Sequence, residues 1–183
     1  MIMTSSRTAP SPGMIRKMPD TKYIFDTVSI CNFALAGALD VIAKRYSGNA
    51  FLTSEVHDEI LEGIAGGHRK LEEIEALLDK GILKLLYLER KEHELYKTHL
   101  KSLGRGEASC ISVAAHRKMV FVSDDRAARL AAREMKIKIT GTVGILKAAV
   151  SDGQLLLHQA DDSLAKMIAE GFYSPVNSIS QIE

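Results

Sequence analysis

Acidic residues stand at or beside the points where expected strands give way to helices: Asp26, Glu59, Glu107 and the pair Asp124–Asp125. A parallel α/β sheet brings the carboxyl ends of its strands to one edge, and ligands bind in the crevice there. The four carboxylates are expected to converge at one point there, where they repel one another strongly unless a divalent cation sits among them. Hard cations take oxygen ligands, and Mg²⁺ uses only a few carboxylates while keeping several waters. The chemistry open to such a site is phosphodiester hydrolysis, in which water is activated and the leaving oxygen is stabilised. The chain thus reads as a scaffold for a Mg²⁺ or Mn²⁺ site that handles phosphate.

Each acid also has a plainer reading. Asp26 ends an expected strand, Lys22–Asp26, where an Asp can equally cap the following helix. Glu59 lies within a helix, at the border of the stripe formed by Val56, Ile60 and Ile64, and periodicity alone leaves it on the surface. Glu107 opens a helix that is apolar almost all round, and an acid in the first turn gains from the helix dipole. Gly104 and Gly106 around it let a backbone or ligand approach closely. Asp124 and Asp125 directly follow an expected buried strand, so one is expected to cap the next helix and the other to be free for metal.

The elements that must position these residues alternate between strand and helix. Expected strands are Lys22–Asp26, Ala50–Thr53, Ile82–Leu88, Met119–Ser123 and Lys136–Thr140. Helices are expected from about Ser29 to Arg45, from Ser54 to the glycines at 66 and 67, and from His68 to Lys80. Others are expected over Glu89–Leu103, Glu107–Arg117, Asp125–Met135 and Thr142–Ser151, and from about Asp161 to Glu170. Alternation of this kind means βαβ units, an α/β fold and a mainly parallel sheet with helices on both faces.

Composition narrows the function classes. The 183 residues fit one domain with some terminal extension, and no tryptophan is present. Net charge is +1, so any nucleic-acid footprint must be a local basic patch. Cys31 and Cys110 lie in apolar helical sequence without metal-ligand spacing, as expected of reduced thiols in the cytoplasm. No apolar run reaches the about 18 residues that suggest a membrane span. Residues 1–21 are rich in Ser, Pro and Met and lack the apolar middle of a signal peptide. They are expected to form a disordered extension, with Met14 or Met18 as possible true starts. The domain is expected over residues 22–175, with a tail over 176–183.

At the acidic residues the chain resembles the PIN domain family of nucleases. The matching segments are YIFDTVSICNFALAG with Asp26, FLTSEVHDEIL with Glu59, LGRGEASCISVAAH with Glu107 and FVSDDRAARLAA with Asp124–Asp125. A later segment, ITGTVGILKAAVSDG, is similar to a subgroup with a Gly-Thr-x-Gly stretch after the fifth strand. The resemblance spans about Tyr23 to Tyr173. It implies a three-layer α/β/α sandwich around about five parallel strands, and Mg²⁺/Mn²⁺-dependent cleavage of RNA. It assigns Asp26, Glu59, Glu107 and Asp125 to catalysis, and Asp26, Glu107, Asp124 and Asp125 to metal, with Asp125 fitting the metal-site position better than Asp124. The family's Ser or Thr near the first acid corresponds to Thr27 or Ser29, which the resemblance assigns to substrate binding. Many small prokaryotic members resemble VapC-type toxins, often homodimeric and blocked by a cognate antitoxin protein.

Arg126, Arg129 and Arg133 share a face of the helix beside the acids, with Lys136 and Lys138 after it. Arg126 and Arg129 are the expected grip on substrate phosphate, with Arg105 a further candidate. The histidines show no zinc spacing, and no glycine fingerprint of a dinucleotide site follows the first strand. Two alternatives remain beside the toxin reading: an RNA-processing or RNA-binding protein of this fold without a toxin role, and a nucleotide-binding regulatory domain.

Overall fold

The computed structural model describes residues 21–182. Residues 1–20, and with them the expected N-terminal extension and its candidate start residues, lie outside the described residues. Five strands form one parallel sheet: β1 (Tyr23–Phe25), β2 (Ala50–Thr53), β3 (Leu83–Leu86), β4 (Val120–Val122) and β5 (Ile139–Thr140). Their order across the sheet is β3-β2-β1-β4-β5. Every residue of β2 is buried, as expected of a strand covered on both faces. The expected α/β/α arrangement around five parallel strands is the one observed.

The helices are α1 (Thr27–Leu35), α2 (Leu39–Tyr46), α3 (Ser54–Ala65), α4 (Glu72–Asp79), α5 (Arg90–His99), α6 (Arg105–Arg117), α7 (Arg126–Glu134), α8 (Thr142–Ser151) and α9 (Leu157–Ala169). Right-handed crossovers put the helices of leftward and rightward steps on opposite faces. Accordingly α1, α2, α4, α8 and α9 pack together, α5, α6 and α7 form the other layer, and α3 touches α1 and α6. The core between them is mostly aliphatic, from Ile24, Ile30 and Ile42 to Ile111, Leu146 and Leu164.

The chain steps from β1 to β2 to β3 in one direction, then crosses back to β4 and continues to β5. The direction of winding therefore reverses between β1 and β4. A crevice opens at such a reversal, above the carboxyl ends of the two strands. Asp26 directly follows β1 and Asp124 closely follows β4, so the topology alone places both acids at that crevice.

Several boundaries differ from the sequence reading. The single helix expected from Ser29 to Arg45 is two, bent by 115°. Gly37 takes φ +65 at the break, a left-handed conformation that glycine adopts without steric cost. Apolar residues continue on both sides of the bend, so periodicity did not reveal it. The last strand does not begin at Lys136, because that residue ends α7 in a left-handed conformation, φ 57. The last helix starts at Leu157, where the Gln159 side chain takes the Leu156 N–H at 3.1 Å. Within residues 176–182, part of the expected tail, the chain is anchored at one point: Ile179 is buried, and its N–H donates to Asp161 at 2.6 Å. Among the described residues no single helix is long and apolar enough to cross a membrane.

A buried ion pair ties α5 to the end of α6. Glu92 is fully buried and receives Nε and Nη2 of Arg117, each at 2.7 Å. Its carboxylate also takes the Glu89 N–H at 2.7 Å. Removing one partner of a buried pair leaves the other charge uncompensated, at a cost of about 3–5 kcal/mol. Glu92→Ala is accordingly expected to lower the free energy of urea unfolding by about 3 kcal/mol; an unchanged midpoint would show that the pair contributes nothing net.

Candidate functional site

Asp26 is the most enclosed of the acids at the carboxyl edge of the sheet, only 1% exposed. Its backbone N–H donates to Val122 O at 3.0 Å, which joins the ends of β1 and β4. Its Oδ1 caps α1 by accepting the Ser29 N–H at 2.7 Å. Oδ2 is buried without a hydrogen-bond partner, although the Ser123 hydroxyl lies near enough to favour the ionised carboxyl. Burial pushes the Asp26 pKa up to about 7, and the charge of Asp124 adds to the rise. A buried carboxylate oxygen with no donor is the arrangement that a bound cation relieves.

Asp124 reaches Asp26 from across the winding reversal. It accepts the Thr142 N–H at 3.0 Å, the Thr142 hydroxyl at 2.5 Å and the Ser29 hydroxyl at 3.2 Å. It thereby holds a negative charge at the first turn of α8, where the helix dipole favours it. A Cβ on Gly141 would collide with the Asp124 carboxylate, so this approach needs glycine there. Asp125 turns the other way. It is exposed and caps α7 by accepting the Ala128 N–H at 2.7 Å. The pair splits by place, with Asp125 as the cap of α7 and Asp124 in the crevice, but the expected free acid is not seen, because both oxygens of Asp124 already accept hydrogen bonds. The resemblance had favoured Asp125 for metal; capping leaves it one free oxygen at the rim.

Glu59 faces inward, contrary to the surface position that its helix periodicity suggests. The Thr27 hydroxyl donates to its carboxylate, as does the Gly106 N–H at 3.0 Å. A Cβ on Gly106 would strike both Glu59 and Thr27, so glycine is what allows α6 to start against α3. Glu107 is half-buried in the first turn of α6. Burial raises its pKa, and the charges of Glu59 and Asp125 add to the effect. The N-termini of α1, α6, α7 and α8 all open on this edge, and their dipoles offset part of the repulsion among the acids.

The acids share an edge rather than a point. Among the described residues no three Asp, Glu, His or Cys side chains stand close enough to hold one ion. The physical reason is that hydroxyl and backbone donors hold Glu59 and Asp124, while Asp125 is held by its helix. The donor set itself, all carboxylate and hydroxyl oxygen, suits a hard divalent cation, and the unpartnered Asp26 Oδ2 gives it a place to bind.

The residues expected to bind substrate are partly engaged by the protein. The Thr27 and Ser29 hydroxyls donate to Glu59 and Asp124. Arg129 donates to Ser123 O at 2.6 Å and Thr140 O at 3.1 Å, clamping the ends of β4 and β5. Arg105 pairs with Glu62 at 2.8 Å on the surface. Arg126 is exposed at the rim and lines a cleft with Asp124. Lys136 and Lys138 line a separate cleft with Lys22 and Lys118, at the amino ends of the strands. Thr142 is the residue that sequence reasoning missed as an anchor; the Gly-Thr-x-Gly stretch containing it was the only signal. Cys110 is buried and Cys31 half-buried, both unpaired.

Comparison with known proteins adds three findings. No curated protein matches the chain. Solved structures similar to the chain include two with TM-scores under 0.5. VapBC2 from Rickettsia felis, crystallised with a DNA fragment from its promoter, gives a TM-score of 0.48 at 16% identity over 66% of this chain and 98% of that one. PAE2754 from Pyrobaculum aerophilum gives 0.47 at 18% identity over 74% of this chain and 98% of that one. The sequence pattern of one family, described as the PIN domain, matches residues 22–183, from the start of the sheet through the packed C-terminal turn. With the acids gathered at the carboxyl edge of its parallel sheet, the chain belongs to the PIN domain family.

Proposed function

We propose that the protein is a Mg²⁺- or Mn²⁺-dependent endoribonuclease, the toxin of a toxin–antitoxin pair. It would act in the cytoplasm as a homodimer restrained by a cognate antitoxin protein. The observation that carries the nuclease reading is the buried Asp26, whose Oδ2 lacks a partner at the winding reversal while Asp124, Glu59 and Glu107 line the same edge. Asp26 and Asp124 would hold the cation, with Glu107 on the same edge beside Glu59 and Asp125. When bound, the cation supplies charge stabilisation at the phosphoryl oxygens and a lowered pKa for water.

The chain's own residues divide the remaining work. Thr27 and Gly106 fix the Glu59 carboxylate, which thereby stays oriented toward the crevice. Ser29 and Thr142 fix Asp124. Glu107, whose pKa is raised by burial, is the candidate among the edge acids to accept and release a proton. Arg126 at the rim is free to pair with a backbone phosphate.

Incubation of the purified protein with RNA checks this. Cleavage with Mn²⁺ or Mg²⁺, and none in EDTA, is expected. Cutting that persists in EDTA would rule out the metal-dependent reading.

A further inference from the structure

A cleft of about 500 Å³ opens directly from the acid edge, past the first turn of α8. Its lining includes Asp124, Arg126, Thr140, Gly141, Tyr173 and Pro175. That volume is within the range of small-ligand sites, about 300–1,000 Å³. Tyr173 is 94% exposed, so its ring packs against almost nothing. Folding gains little from an aromatic left in this position.

The backbone that presents Tyr173 is nevertheless held on both sides. Phe172 before it is buried in the core. The Ser174 hydroxyl after it donates to Val176 O at 2.6 Å, and Val176 packs on the core. A ring with free faces thus stands on an anchored loop, in the cleft that also holds an unpaired arginine and one of the crevice acids.

We infer that this cleft is a subsite for an unpaired nucleotide, with Tyr173 stacking on its base and Arg126 pairing with the adjoining phosphate. Aromatic side chains bind single strands by stacking because every base has a π face, and a paired base has both faces covered by its neighbours. The guanidinium supplies the bidentate phosphate contact. The position next to Asp124 places this nucleotide beside the cleavage site proposed above, and the subsite's part in catalysis rests on that reading. Its consequence is a preference for single-stranded RNA over duplex.

The chain has no tryptophan, so Tyr173→Trp installs a lone indole reporter. In EDTA, with cleavage silenced, a single-stranded RNA of about ten nucleotides is expected to quench that emission, and the same sequence as a duplex is not. By anisotropy of the fluorescein-labelled strand, Tyr173→Ala is expected to weaken binding roughly 10- to 100-fold. Tyr173→Phe should retain most of it, because the ring and not the hydroxyl stacks. Unchanged binding by Tyr173→Ala, unaltered indole emission at saturating RNA, or no binding by the native protein overturns the inference. The two readings fail separately. Metal-dependent cleavage without quenching removes the subsite and leaves the acids' chemistry, whereas quenching without cleavage under any divalent cation does the reverse.

Discussion

Asp26→Asn is expected to abolish metal-dependent cleavage while making the metal-free protein more stable. The two effects have one cause. Asp26 is buried at the junction of β1 and β4, and one of its carboxylate oxygens has no donor. Asparagine keeps an oxygen to cap α1 and removes the charge. A single electrostatic or acid–base group in an active site supplies about 10²–10⁴ in rate, and loss of a metal-holding carboxylate belongs at the upper end of that range. Unreduced cleavage by Asp26→Asn would refute the assignment of the site.

The stability half of the result depends on pH. The folded-state pKa of Asp26 is about 7 against an ordinary 3.8, with burial as the main cause. The native state therefore holds the proton more tightly than the unfolded chain, and this group's contribution to stability falls as pH rises from about 4 to about 7. At about 1.4 kcal/mol per pH unit, the full cost above pH 7 is of order 4 kcal/mol. In EDTA, Asp26→Asn and the native protein should unfold at similar urea concentrations near pH 4. The variant should be more stable by about 2–4 kcal/mol at pH 8. Added Mg²⁺ or Mn²⁺ should raise the stability of the native protein and leave the variant unmoved, since only a species that binds the folded state shifts the equilibrium. A gap that does not open between pH 4 and pH 8 would mean that Asp26 is already neutralised by something else.

How far these residues could be read in advance follows from the range of the interactions that place them. Asp26 and Glu107 were legible because short-range rules apply to them: one ends an apolar run, and the other opens a buried helix after a glycine turn. The places of the strands along the chain were legible for the same reason, with parallel pairing implied by alternation, whereas their order across the sheet was not. Glu59 was not legible. Its inward orientation depends on Gly106 and Thr27, far away in the chain, meeting it without a Cβ between them. The break at Gly37 was hidden because apolar residues continue on both sides of it. Arg129 looked like a free phosphate grip on a helix face, and only the closeness of two strand ends shows that their carbonyls take it up. The Tyr173 cleft joins the end of α9 to the beginning of α8, and no local pattern announces it.

The adjacent pair is where structure sharpens the sequence most, and it carries the second large expected effect. Asp124→Asn should reduce cleavage by about 10²–10³-fold, whereas Asp125→Asn should cost about 10-fold or less. Asp124 lies at the crevice, raises the pKa of Asp26 through its charge, and is fixed there by Thr142 and Ser29. Asp125 spends one oxygen on the α7 cap at an exposed position, and asparagine caps a helix about as well. Asp125→Ala separates capping from charge further, with a stability loss of about 1 kcal/mol that Asp125→Asn should not show. Rates measured at saturating Mn²⁺ for the three variants decide between the neighbours. A larger loss for Asp125→Asn than for Asp124→Asn would transfer the catalytic role to the rim residue. It would also mean that α7 gives up its cap when the cation binds.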